Sequence, residues 1–242
     1  MNIIKKILAS KTVWYLSGLT YPTAVIATHG RYVPYKKYLS ECSNQMRLLE
    51  DYLSSSTVIL EFGSGLGGNV VSIHNRCQLV YGVDINSHYI RIAKRNAKKI
   101  KAANVEFVVY NGRDVPQMRE RPVTVFSLGV FERIPKDKVR SYLKELCEML
   151  TEDGRLILYF LTERARKTPF TNRLGDDAYV YWSELELREL MVYLGLSIYD
   201  WKRWPQNPFG ISTTCNDETS YADLLIADKR KEDSSALLLS TH

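Results

Sequence analysis

The chain has 242 residues, of which 45% are hydrophobic and 25% charged, as is ordinary for a soluble globular protein. Its length fits one α/β domain with additions and is enough to bury a sizeable core. The formal charge of +6 is compatible with an acidic substrate or an anionic membrane surface, but it is too diffuse to indicate nucleic-acid binding alone. No run approaches ~18 consecutive apolar residues, so the sequence predicts no membrane-spanning helix.

The cysteines indicate a reducing environment. They are far apart and show neither Cys-x-x-Cys nor Cys/His metal-ligand spacing: Cys42, Cys77, Cys147 and Cys215. Reduced thiols in a cytosolic protein are the expected state. The sequence therefore predicts a cytoplasmic protein without a metal site.

Two interpretations are open for residues 1–16, which have the pattern of an amphipathic helix. Lysines alternate there with apolar residues: Lys5, Lys6 and Lys11 among Ile3, Ile4, Ile7, Leu8 and Trp14. The favoured interpretation is a helix packed on the domain. The alternative is a basic helix that rests on a membrane, which would make this segment a peripheral membrane contact.

Residues 17–38 are rich in turn-forming and aromatic residues, among them His29 and Tyr32. Such a segment could form a lid over a ligand, or it could be ordinary surface packing, and the sequence favours neither. Residues 39–53 then predict a helix that leads to the first strand.

The central motif is a short apolar run at residues 58–62, followed by Gly63-x-Gly65-x-x-Gly68. The run predicts a buried strand, and the glycines predict a tight turn into a short helix over residues 69–75. Glycine permits positive φ angles and lets a ligand approach bare backbone. The turn is therefore a candidate ligand cradle at the carboxyl end of a strand, where open α/β sheets bind their ligands.

Strands and helices alternate after this motif. Further strands are predicted at residues 79–84, 105–110, 123–128 and 155–160, and helices at 89–101 (capped by Ser87), 136–150 and 184–194 (capped by Ser183). A basic loop covers residues 162–181, and residues 197–204 and 221–228 predict a hairpin. Right-handed crossovers then give an α/β fold with a doubly wound, Rossmann-like, mostly parallel sheet and a C-terminal antiparallel hairpin.

Two acidic residues narrow the class of ligand that the glycine turn is expected to bind. Asp84 ends the second strand near the ~20-residue distance of the dinucleotide fingerprint, where a carboxylate can accept from both ribose hydroxyls. Glu61 ends an apolar strand, where a carboxylate is costly without a cationic or donor partner. A dinucleotide offers no ammonium group there, whereas S-adenosylmethionine (SAM) offers an ammonium and a sulfonium.

On these motifs the chain resembles the class I SAM-dependent methyltransferases, over roughly residues 57–203. The matching stretches are residues 59–67, 82–85, 106–112, 126–135, 143–158 and 182–196. The resemblance implies a seven-strand fold of the methyltransferase type and SAM as the cofactor.

The resemblance also implies roles for individual residues. Glu61 and the turn of Gly63, Ser64, Gly65 and Gly67 would hold the methionine part of SAM. Asp84 would hold the ribose, with Ile85 flanking the adenine and Asn111 and Gly112 at the adenine edge. Ser127 and Leu128 would present backbone to the methionine end.

Two residues depart from the family pattern. Asn111 stands where the family usually has Asp, but its amide oxygen can still accept a hydrogen bond from the adenine amine. Arg133 stands where many members have His, and arginine cannot act as a base. The candidate catalytic residues are therefore His29 first, then Glu132 and Tyr32.

The acceptor is expected to be a small molecule, a sugar or a lipid-linked intermediate, because motifs of base-amine, cytosine-C5 and protein-arginine methyltransferases are missing. No nucleic-acid partner is expected, and the oligomeric state is unknown. One rival function is an NAD(P)-dependent oxidoreductase, opposed by Glu61 and by the lack of a Tyr-x-x-x-Lys pair after strand four. Another is a non-catalytic SAM-binding or partner subunit, and a nucleic-acid methyltransferase ranks third.

The predicted organisation has three parts. An N-terminal helical or lid segment covers residues 1–56, a SAM-dependent methyltransferase domain covers 57–228, and a charged, Ser-rich tail covers 229–242. Residues 162–181 form the substrate-side loop of the domain.

Overall fold

A computed structural model describes residues 16–29, 32–163, 179–204 and 222–229. Outside the described residues lie the amphipathic pattern at 1–15, most of the basic loop (164–178), the hairpin connection and the tail beyond 229. Within the described ranges, no helix has the length and apolar character needed to cross a membrane.

A seven-stranded sheet runs through the molecule in the order β3-β2-β1-β4-β5-β7-β6. Five parallel strands are joined by an antiparallel pair at one edge. The strands are β1 Val58–Phe62, β2 Leu79–Asp84, β3 Val105–Val109, β4 Thr124–Ser127, β5 Arg155–Phe160, β6 Leu196–Trp204 and β7 Ala222–Lys229. This arrangement confirms the predicted fold class, including the C-terminal hairpin.

Helices cover the sheet, so that every residue of β1 and β2 is buried. The α-helices are α1 Tyr21–His29, α2 Tyr35–Gln45, α3 Gly68–Ile73, α4 Ser87–Lys99, α5 Lys136–Met149 and α6 Glu184–Tyr193. Short 3-10 helices occupy Met46–Tyr52, His74–Arg76 and Phe131–Arg133. Burial on both faces explains why the central strands are continuous apolar runs rather than alternating ones.

Two large hydrophobic clusters lie on opposite faces of the sheet, because alternate residues of each strand point to opposite sides. One contains Leu60 and the apolar stripe of α5, including Val139 and Leu143. The other contains Ile59 and the buried side of α4, including Ile90 and Ala93. The sheet thus positions the carboxyl ends of β1, β2 and β4 between two packed helix layers.

A third cluster joins the N-terminal helices to the glycine turn. Its buried members are Ala24, Val25, Val33, Tyr38, Cys42, Leu66, Tyr89 and Ile92. Leu66 belongs to the turn and Tyr89 to α4, so α1 and α2 pack directly against the elements that form the cradle. The boundary predicted at residue 57 stays a prediction.

The structure differs from the predicted helix caps and helix boundaries at only a few positions. The prediction that Ser87 caps α4 is wrong, because Ser87 is the first helical residue and the Asn86 side chain accepts from the backbone N–H groups of His88 and Tyr89. Both are good capping residues, and only the observed helix start distinguishes them. Ser183 caps α6 as predicted, in a capping box with Glu186. The helix predicted at 39–53 is divided into α2 and a 3-10 segment.

Candidate active site

The glycine turn is fastened to the end of β2. The backbone N–H groups of Gly63 and Ser64 both donate to the carbonyl oxygen of Val83, at 2.7 and 2.9 Å. Gly63 has a φ of +82°, and a Cβ built there would lie 2.1 Å from Val130 Cγ2. The loop after β4 therefore packs directly against the first glycine.

Gly65 differs from Gly63 in its surroundings. Its φ is +52°, yet no heavy atom lies within 4 Å of a Cβ built on it. The turn is thus closed at Gly63 and open at Gly65, which leaves space for a ligand against the Gly65 backbone.

Glu61 lies near the carboxyl end of β1, two residues before the turn, and is only 2% exposed. Its Oε1 accepts from Asn69 Nδ2 at 2.7 Å, and its Oε2 has no hydrogen-bond partner within the described chain. Burial raises its pKa to about 8 and the nearby Asp84 carboxylate adds to the rise, although the hydrogen bond from Asn69 and the nearby Val70 N–H act in the opposite direction. A buried carboxylate with one unpaired oxygen is well suited to receive an ammonium group.

Asp84 is also buried, and both of its oxygens contact the backbone. Oδ2 accepts from the Gly65 N–H at 2.9 Å and Oδ1 from the Asn86 N–H at 2.8 Å. Burial raises its pKa to about 6, while these two hydrogen bonds oppose the rise. Each carboxylate oxygen keeps a further lone pair, which suits it to vicinal hydroxyl groups.

Two serines and a leucine line the inner end of the turn. The Ser64 hydroxyl is buried and lacks a hydrogen-bond partner among the described residues. Ser127 Oγ donates to the carbonyl oxygen of Phe62 at 2.9 Å, which ties β4 to the end of β1. Leu128 follows directly and is buried.

The opposite end of the cradle is formed by Ile85 and Gly112. Ile85 is 48% exposed, and a Cβ at Gly112 would lie 2.7 Å from its Cδ1, so the two residues are adjacent. Asn111 Oδ1 already accepts from the backbone N–H groups of Arg113 and Asp114, at 2.7 and 3.1 Å. The amide oxygen that was expected to face adenine therefore shapes the loop.

The catalytic candidates lie in different settings. Glu132 is 2% exposed, and neither carboxylate oxygen has a hydrogen-bond partner in the described part of the chain. Arg133 Nε lies 3.9 Å from Glu132 Oε1, and burial raises the pKa of Glu132 while Arg133 opposes this. Tyr32 is 54% exposed. His29 is the last residue of α1, and its side chain lies outside the described structure.

Several site residues were not predicted from the sequence. Asn69 holds Glu61, Asn86 holds Asp84, and Tyr38 accepts from the Gly68 N–H through its hydroxyl at 2.9 Å. Tyr142 on α5 donates to the Gly112 carbonyl at 2.5 Å. Asn69 and Asn86 follow their partners closely in the chain and could have been found as local donors, whereas Tyr38 and Tyr142 are about 30 residues from theirs.

No metal centre is evident: the described residues contain no cluster of three or more His, Cys, Asp or Glu side chains that could hold a metal ion. The arrangement instead offers two buried carboxylates, an open backbone turn and an exposed apolar side chain. Together these features suit a ligand with a cationic end, a hydroxylated middle and a flat apolar end.

Comparison with known proteins shows similarity to methyltransferases. Residues 59–154 match a family model described as a methyltransferase domain. Magnesium protoporphyrin IX methyltransferase from Synechocystis PCC 6803, solved with bound SAH, has a similar fold, with a TM-score of 0.62 and 17% identity over 94% of this chain and 99% of that one. The YcgJ protein from Bacillus subtilis gives a TM-score of 0.59 and 16% identity over 79% of this chain and 99% of that one.

A curated relative matches a shorter stretch. It is the "Probable cobalt-precorrin-6B C(15)-methyltransferase (decarboxylating)" of Methanocaldococcus jannaschii, 32% identical over 63 residues. The match covers 26% of this chain, and the chain spans about a third of that relative's length, 34%. The predicted resemblance to the class I SAM-dependent methyltransferases is confirmed: residues 59–154 match a methyltransferase domain, and the fold is similar to that of solved methyltransferases.

Proposed function

We propose that the protein transfers a methyl group from SAM to a small-molecule, sugar or lipid-linked acceptor. The observation that carries this proposal is the buried Glu61 carboxylate beside the open Gly65 backbone, because its unpaired oxygen needs a cationic partner. The α-ammonium group of SAM is such a partner, and the methionine carboxylate would then face the buried Ser64 hydroxyl.

The remaining contacts follow from the direction of the cradle. Asp84 would accept from the two ribose hydroxyls, and Ile85 would cover one face of the adenine. Because Asn111 Oδ1 is engaged by its own loop, we expect its side-chain nitrogen to meet the adenine edge. Ser127 and Leu128 would line the methionine end through their backbone.

When bound, SAM supplies an activated methyl group on a sulfonium centre. The residues of this chain then have to align the acceptor and take up a proton if the nucleophile is a hydroxyl. Among the three candidates, Glu132 is the base that the geometry supports best, since its loop packs against Gly63 through Val130. Burial also raises the pKa of Glu132 above its ordinary value, which makes its carboxylate a stronger base.

The NAD(P)-dependent alternative receives less support. A dinucleotide offers no ammonium group to neutralise a carboxylate at position 61. The names of the similar proteins do not decide the acceptor: the Synechocystis enzyme is named for magnesium protoporphyrin IX and the methanogen relative for cobalt-precorrin-6B, which supports only the small-molecule class for this chain. The cytoplasmic location and the membrane contact through residues 1–16 stay predictions.

Calorimetric titration with S-adenosylhomocysteine and with NADH tests the proposal. We expect binding of the first ligand, weakened at least about tenfold by Glu61→Ala or Asp84→Ala because each removes a charged hydrogen-bond partner. Glu106→Ala on β3, a half-exposed carboxylate paired with Arg119, is the matched control and should leave affinity unchanged. Binding of NADH alone would overturn the proposal.

Turnover separates an enzyme from a non-catalytic SAM-binding subunit. Radiolabelled SAM incubated with a fractionated small-molecule extract should release label into an acceptor fraction. Glu132→Gln should lower the rate with little effect on SAM affinity, since its proposed role is to take a proton from the acceptor rather than to hold SAM. Full SAM binding without any transfer to any fraction would favour the non-catalytic function.

A further inference from the structure

The exposed side of α4 is a row of four cations. Arg91, Lys94, Arg95 and Lys98 recur at the i, i+3, i+4 and i+7 spacing of one helix face, and all four are exposed. Within the described ranges none of them forms an ion pair, although ten other Lys and Arg side chains there do. Like charges at these spacings repel, so the row favours an external anion.

These cations border a shallow groove of about 380 Å³. Its apolar lining comes from Ile90 on α4 and from Val109 at the end of the edge strand β3, which is 44% exposed. The groove thus combines a cationic rim with an apolar floor and does not share the Glu61 and Gly65 contacts of the cradle.

An exposed apolar segment lies beside the first turns of the same helix. The Ser17 and Tyr89 hydroxyl groups are hydrogen bonded at 2.8 Å, and Arg91 Nη2 donates to the Leu19 carbonyl at 3.5 Å. Leu16 and Leu19 nevertheless expose 50% and 53% of their surface. Two large apolar side chains therefore project to solvent next to the cationic row.

The residues that follow this segment are also uncharged and include an exposed apolar side chain. From residue 16 to residue 28 there is no Lys, Arg, Asp or Glu, and Ile26 on α1 is 46% exposed. A nucleic acid or a free anion would use the cations but leave these apolar groups in water. A bilayer with anionic headgroups uses both, since cations meet the headgroups while apolar side chains enter the acyl boundary.

We propose that the α4 cationic row and the Leu16–Leu19 segment form a docking surface for an anionic phospholipid membrane. This inference does not depend on the methyltransferase activity. It is also distinct from the membrane contact predicted for the amphipathic pattern at residues 1–15. That pattern directly precedes Leu16, which belongs to the proposed surface.

The test is flotation of the full-length protein with phosphatidylcholine vesicles, with and without about one third phosphatidylserine, at ~0.1 M salt. We expect binding only to the anionic vesicles and loss of binding in high salt. The charge reversal Arg91→Glu with Lys94→Glu should weaken binding at least about a hundredfold, because each unit of charge near such a surface contributes roughly fivefold.

The matched control reverses two cations on the other face of the sheet. Lys138→Glu with Arg140→Glu on α5 changes the net charge equally and lies beside Val139 of the opposite hydrophobic cluster, so binding should change little. Equal loss in both pairs would mean attraction by net charge only and would overturn the proposal.

A third variant tests the apolar part. Leu19→Ser should weaken vesicle binding roughly tenfold while leaving its salt dependence unchanged. Thermal unfolding shows whether each variant is folded, so a loss of vesicle binding can be assigned to the docking surface. SAM binding is not measured in this test, so its failure cannot be mistaken for a failure of docking. Binding to single-stranded RNA that is sensitive to the α4 reversal but not to Leu19→Ser would replace the membrane with nucleic acid and overturn the proposal.

Discussion

The protonation of Glu61 affects both the free energy of unfolding and the binding of the ligand. Its raised pKa of about 8 means that the folded protein holds a proton which the unfolded chain releases near 4.5. The free energy of unfolding of the ligand-free protein should therefore fall as the pH rises between these two values. An ammonium ligand needs the ionised carboxylate, so its binding should release this proton.

We therefore predict that SAM affinity rises with pH, approaching about tenfold per unit between the pKa values of Asp84, about 6, and Glu61, about 8. Calorimetric titrations across this range measure it. Glu61→Gln should flatten the profile and bind weakly, while its ligand-free form should be at least as stable as the original, because glutamine is neutral and folding then requires no proton uptake at this position. A pH-independent affinity in the unmodified protein would contradict this assignment.

The two glycines of the turn should respond differently to alanine. Gly63→Ala places a methyl group against Val130 at positive φ, so we expect it to lower the free energy of unfolding by about 2–4 kcal/mol. Gly65→Ala meets no protein atom, so its effect on stability should be only about 1 kcal/mol.

For Gly65→Ala, we expect a larger effect on SAM affinity than on the free energy of unfolding. Its methyl group would occupy the space assigned to the ligand, so affinity should be lost although the protein is nearly as stable as before. Urea unfolding together with calorimetry measures both quantities. Retained affinity in folded Gly65→Ala protein would show that no ligand lies against this backbone.

The sequence was sufficient for the residues that carry charge at the strand ends. Glu61 and Asp84 are each fixed by a strand and a glycine spacing, and both lie at the predicted place. Asn69 and Asn86, which hold them, were missed although both are local donors. Tyr38 was missed because it reaches Gly68 from a separate helix, and no local pattern marks such a contact. The engagement of Asn111 by its own loop was likewise invisible without coordinates.

Among the elements, α2 has a direct connection to the glycine turn. The Tyr38 hydroxyl accepts from the first N–H of α3, a group that would otherwise be unsatisfied at the start of the helix. We predict that Tyr38→Phe lowers the free energy of unfolding by about 1–3 kcal/mol, since a buried donor is left unpaired.

Tyr35 provides the matched control on the same helix. Its hydroxyl is buried and has no hydrogen-bond partner among the described residues. Tyr35→Phe should therefore be neutral or slightly stabilising. Chemical denaturation of both variants measures the difference, and an equal loss in the two would argue against a specific link between α2 and α3.

The lengths of the strands and helices were largely predictable, because buried parallel strands are continuous apolar runs and helices show a clear apolar stripe. Their ends were less certain. Asn86 and Ser87 are adjacent capping residues of similar propensity, so the sequence alone did not decide between them. The change from α-helix to 3-10 helix at Met46 has no obvious sequence signal.

At the scale of the whole molecule, β7 lies between β5 and β6 and attaches the C-terminal hairpin to the parallel sheet. Arg155 forms a two-point ion pair with Asp228, opposite it in register, and its guanidinium stacks 4.8 and 4.6 Å from the rings of Tyr52 and Tyr199. This one side chain joins β5, β7, β6 and the segment that precedes β1.

We predict that Arg155→Met lowers the free energy of unfolding by about 2–4 kcal/mol, because it leaves a partly buried carboxylate without its partner. Arg188→Met removes an exposed i, i+4 pair with Glu184 and should cost at most about 0.5 kcal/mol. Urea unfolding of both variants tests the contrast. Similar small losses would mean that the hairpin is held by its backbone ladder alone.

The hairpin itself was predictable from its two apolar strands, whereas the order of β7 and β6 in the sheet was not. Crossover handedness orders the parallel strands, but an antiparallel pair can join an edge by either member. Long-range contacts such as Arg155 with Asp228 decide this order, and they are 73 residues apart in the chain.

The packing of α1 and α2 on Leu66 and Tyr89 has a practical consequence for anyone who shortens the chain. The region that matches the family model begins at residue 59. A chain shortened to that point would lose the apolar side chains that cover the glycine turn, and the first N–H of α3 would lose its hydrogen bond to Tyr38. A shortened chain that keeps this packing therefore has to include α1 and α2, which begin at Tyr21.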